Sequence, residues 1–114
     1  MRVTAVPKEL RKVIFSRNEL QAALVSHLLH AGRSMPNRSI DRLDIGEGLA
    51  AVTIVFQPGD SSEVQQWPLS QEEVAAALIR YCGQFSIPLP RAARKRLQMD
   101  NNSLALIFSL DHGT

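Results

Sequence analysis

The sequence predicts an α+β fold built from two copies of a strand-helix-strand-strand unit, about six strands and two main helices related by a pseudo-twofold axis. Three observations predict it. Sliding the 114-residue chain by 54 positions lays Phe15–Phe56 over Leu69–Leu110 without a gap and leaves nine identical pairs. Two Ser-x-x-Glu sequences, Ser16/Glu19 and Ser70/Glu73, open apolar stripes of helical period at equivalent places. Each stripe is followed by a proline and two runs of strand-forming residues.

A short strand is expected over Lys12–Phe15 and its counterpart over Glu63–Leu69. Each is followed by a capping box, in which the serine hydroxyl accepts from a first-turn amide and the glutamate reaches back to the cap's own N–H. In the first helix Leu20, Ala23, Leu24, His27, Leu28 and Ala31 share a face. Val74, Ala77, Leu78, Tyr81, Cys82 and Phe85 repeat that spacing in the second. Gly32 is placed to end the first helix, and Pro88 stops the second soon after Ser86. Hairpins follow: Ser39–Ile45 with Leu49–Phe56 around Gly46-Glu47-Gly48, and Arg94–Met99 with Leu104–Leu110 around Asp100–Ser103. Pro58-Gly59-Asp60 joins the halves. Residues 1–8 are read as an N-terminal tail and 9–114 as one domain of two repeats, about 12–56 and 63–110.

The strand pattern also predicts where water is excluded. Leu43 with Ile45, and Leu97 with Met99, alternate with polar residues and suit strands with one wet face. Val52–Phe56 and Leu104–Phe108 scarcely alternate, so both are expected to be covered on both sides. Two helices cover one face of such a sheet. The other requires self-association, a partner, or a sheet curled upon itself.

Composition narrows the function classes. The chain is 45% hydrophobic and 21% charged, with mean hydropathy near zero, as in a soluble globular domain. No apolar run approaches the roughly 18 residues of a membrane helix, and the N-terminal residues lack the apolar stretch of a signal peptide. With a single cysteine, Cys82, no intramolecular disulfide framework or multi-thiolate zinc site is possible, so a cytoplasmic protein is expected. The net charge of +2 is mild, although ten of the 13 basic residues are arginine.

No catalytic motif is legible, no phosphate-binding glycine loop is present, and no cofactor or metal is expected. His27 and His30 stand three apart, but His27 falls on the apolar stripe where the other copy has Tyr81, the position of a packed ring. Cys82 falls on the same stripe opposite Leu28 and reads as a core thiol. The one charge-segregated stretch is Arg91-Ala92-Ala93-Arg94-Lys95-Arg96. Strand parity sets Leu97 and Met99 toward the core and Arg94 and Arg96 away from it, and Arg42 is the counterpart of Arg96. Arg42, Arg91, Arg94 and Arg96 are therefore the expected binding residues, with Trp67 as a second candidate anchor. The plainer reading is an edge strand guarded by charge. The functional expectation is a non-enzymatic regulatory module acting through a protein-protein surface, as a homodimer or with another protein. The alternative is a nucleic-acid-binding protein that uses the same arginines on phosphates.

Overall fold

A computed structural model of the chain describes residues 8–36, 38–46, 51–59, 65–89, 93–99 and 103–111. In chain order the elements are β1 (Lys8–Ser16), α1 (Arg17–His30), β2 (Ile40–Ile45) and β3 (Val52–Phe56), then β4 (Gln66–Leu69), α2 (Gln71–Gln84), β5 (Arg94–Met99) and β6 (Ser103–Asp111). This is the expected α+β composition. Strand β1 starts four residues earlier than its apolar pattern suggested, because its backbone pairs with β6 along its whole length. The Asp60 and Glu47-Gly48 turn residues, and most of the expected tail, lie outside the described residues.

Both helices start where the serines put them. Ser16 Oγ accepts from the Glu19 amide at 3.2 Å while Glu19 Oε1 accepts from the Ser16 amide at 3.0 Å, a complete capping box. Ser70 Oγ likewise accepts from the Glu73 amide at 3.2 Å. The second box is not complete, however: the Glu73 carboxylate accepts from Arg33 at 3.0 Å, a charge-assisted bond that draws it away from the cap. Both helices also end alike. Gly32 (φ +74°) and Ser86 (φ +56°) take left-handed backbone, and the next amides, Arg33 and Ile87, donate to Leu28 and Cys82 five residues back. This is the Schellman closure.

The strands form two three-stranded antiparallel sheets, β1-β6-β5 and β2-β3-β4, rather than one continuous sheet. The strand that leads into each helix joins the hairpin of the other half: β1 pairs with β6, and β4 pairs with β3. Ile45 faces Val52 across the first hairpin, with six residues between them, whereas Met99 faces Leu104 across the second with four. The gapless frame therefore slips by two residues at the hairpins, and by strand register Phe56 corresponds to Phe108 rather than to Leu110.

One core joins all of this. Leu20, Leu24 and Leu28 of α1 and Val74, Leu78 and Cys82 of α2 are buried together with Ile54 and Phe56 of β3 and Leu104, Leu106 and Phe108 of β6. The helices are tied to each other by Gln84 to Ser26 at 3.3 Å and, beyond the end of α1, by the Arg33–Glu73 ion pair. Phe85, expected on the apolar face, is exposed at the cap of α2 and lies against the Tyr81 ring at 4.7 Å. In the two central strands residues of both parities are largely buried, with Thr53 and Ser109 on the outer side half-buried. Val55, Ala105 and Ile107 alternate away from the core yet are buried, each flanked in register by longer side chains of the neighbouring strands.

Candidate functional site

Antiparallel pairing assembles the outer face of β1-β6-β5 in cross-strand rows. Leu10 and Arg94 flank Ser109, Lys12 and Arg96 flank Ile107, and Ile14 and Gln98 flank Ala105. At the far end Lys8 stands in register with Asp111. Leu10 and Ile14 are 70% and 59% exposed, while Ile107 between them and the arginines is only 6% exposed. The face thus has Leu10 and Ile14 on either side of Lys12 on β1, a low floor on β6, and Arg94, Arg96 and Gln98 on β5. Among the described residues Lys12, Arg94 and Arg96 make no ion pair, and none of the described side chains on this face is acidic.

The residues singled out from sequence divide between the sheets. Arg94 and Arg96 sit on this face as parity required, with Leu97 and Met99 packed against the core. Arg42 does not join them. It lies on β2 in the other sheet, where its guanidinium donates to Asp41 at 2.9 Å and Asp44 at 3.1 Å. Asp44 first, and then Asp41, hold its charge more firmly than an isolated arginine would. A register irregularity between Ile40 and Arg42 brings Asp41 within reach. Arg91 lies outside the described residues.

Trp67 is half-buried: its ring packs edge-on to Phe56 at 5.9 Å, and the Arg33 guanidinium covers it at 5.0 Å. Lys95, at core-side parity, donates to the Ala93 carbonyl at 3.4 Å.

Leu10, Lys12 and Ile14 are the members of the face that the sequence reading missed. The signal was present: Leu10-Arg11-Lys12-Val13-Ile14-Phe15 puts apolar residues on both parities of one strand, and only one parity can serve the core.

Other chemistry is sparse. Gln71, Glu72 and Ala75 of α2 and Lys95, Arg96 and Leu97 of β5 line a shallow open depression. Among the described residues no group of three His, Cys, Asp or Glu side chains converges. His27 is half-buried, with Nδ1 lacking a hydrogen-bond partner among the described residues, and His30 is exposed. Burial pushes the Cys82 thiol up, which disfavours the nucleophilic thiolate. No helix among the described residues is long and apolar enough to cross a membrane.

No protein-family model, curated protein or solved structure matches the chain.

Proposed function

We propose that this protein is a small non-enzymatic binding module that docks a partner protein on the outer face of β1-β6-β5. One observation carries the reading: Leu10 and Ile14 stand exposed on the same sheet face as Arg94 and Arg96, which make no ion pair among the described residues. Fully burying a side chain of that size contributes about 1.5–3 kcal/mol, so a partner that covers both gains an apolar anchor. The cations beside them speed encounter and reject basic partners. Regulation by such docking, within a reducing cytoplasm, is the function we assign. The matched helix ends and the reciprocal pairing of β1 with β6 and β4 with β3 support reading the halves as copies about a pseudo-twofold axis.

A photo-crosslinking residue placed at Lys12, with a second at Gln66 on the other sheet as control, tests the assignment in nuclease-treated extract. The expected result is a protein crosslinked from position 12 and not from 66, lost when Leu10→Ser and Ile14→Ser are added. Equal labelling from both positions contradicts the docking face. Capture that disappears with nuclease replaces it with phosphate recognition.

A further inference from the structure

Building on that docking face, we infer that its occupant is a segment of another protein that combines apolar and acidic side chains, lying lengthwise over β6. Leu10 and Ile14, four residues apart on β1 with Lys12 between them, form one raised margin about 13 Å long, and Arg94, Arg96 and Gln98 form the other. Between them Ser109, Ile107 and Ala105 form a lower floor, with Ile107 already packed. The β1 margin calls for apolar side chains at its two ends and a carboxylate at Lys12 between them. The β5 margin calls for carboxylates, because guanidinium forks about 7 Å apart on one strand face favour bidentate acceptors. Acidic residues one helical turn apart, or alternating along a strand, present that spacing.

Two other occupants fit less well. Nucleic acid would answer the cations but leave Leu10 and Ile14 against phosphates or water, and no aromatic ring stands among the described side chains of this face to stack a base. A second copy laid face to face about a twofold axis has two arrangements. If β1 covers β1, arginine margins meet arginine margins. If β1 covers β5, leucine and isoleucine are set over cations that lose water without gaining a carboxylate.

A displayed library of random peptides, selected on the wild-type chain and counter-selected on Arg94→Glu/Arg96→Glu, tests the inference. The three substituted positions, Ile14, Arg94 and Arg96, are exposed, and melting curves establish that each variant is folded before binding is read. Recovered peptides are expected to combine Asp or Glu with Leu, Ile, Val or Phe. They should bind the charge-reversed variant roughly tenfold or more weakly and Ile14→Asp weakly as well. Replacing their carboxylates with lysine should restore binding to the reversed variant. Peptides lost on Ile14→Asp but neither acidic nor sensitive to charge reversal overturn the occupant while leaving the docking face standing. Peptides indifferent to Ile14→Asp, or no peptides at all, remove both. A 20-base-pair duplex that binds this face with steep salt dependence overturns the inference in favour of phosphate, and a dimer in sedimentation that Ile14→Asp dissociates overturns it in favour of a second copy.

Discussion

Ser16 and Ser70 cap their helices from the same position, but only Ser16 receives a returning bond from its glutamate. Ser16→Ala and Ser70→Ala should each lower stability by about 1 kcal/mol in denaturant titrations. Bonds from the Ser16 amide and hydroxyl hold the Glu19 carboxyl below its ordinary pKa. A carboxyl whose folded pKa is depressed contributes stability above its unfolded value and loses that contribution as pH falls through the folded one. Glu19→Gln should therefore cost stability at neutral pH, and its difference from wild type should close as pH drops below about 4.3. Cys82 gives a third residue-scale expectation. Fully buried, with its thiol pushed up, it should react with an aqueous disulfide reagent only at the rate at which the protein opens, and prompt labelling of the native chain would contradict the helix packing.

Among the elements, the helices were the most legible in sequence, because caps and stripes are local. The stop of α2 shows what remained hidden. Gly32 announces left-handed backbone, whereas Ser86 takes the same conformation with a side chain that disfavours it. Ser86→Gly should accordingly stabilise the protein by about 0.5–1 kcal/mol, and Gly32→Ala should destabilise it by about 1 kcal/mol, both measurable by thermal melts. Nothing crowds a Cβ at Gly32, so its cost is one of backbone conformation alone. Strand faces were legible through parity, which set Arg94 and Arg96 outward correctly. Strand partners were not, since the side chains of β1 suit either hairpin equally well. Arg42 is grouped with Arg94 and Arg96 by the repeat frame, which does not reveal that it lies in a different sheet; Asp44 shares its strand face by period two, whereas Asp41 meets it beside a local irregularity that no period reveals.

At the scale of the whole molecule, the crossed pairing makes each half depend on the other. Strand β1 finds its ladder only on β6, and β4 only on β3. A chain divided within residues 60–64 should give two fragments that are each largely unfolded by circular dichroism and recover structure when mixed. Independently folded halves would contradict the topology. The same exchange creates the face on which the functional account depends, by setting the exposed Leu10 and Ile14 of the first half beside the arginines of the second. No single segment displays that combination, so it could not be read along the sequence. The most direct test is to map amide chemical shifts in the isotopically labelled full chain during titration with a peptide of alternating leucine and glutamate residues. Shifts are expected to gather at Leu10, Lys12, Ile14, Arg94, Arg96 and Gln98. Shifts gathered on β2-β3-β4 or on the helices, or absent everywhere, would contradict the docking face.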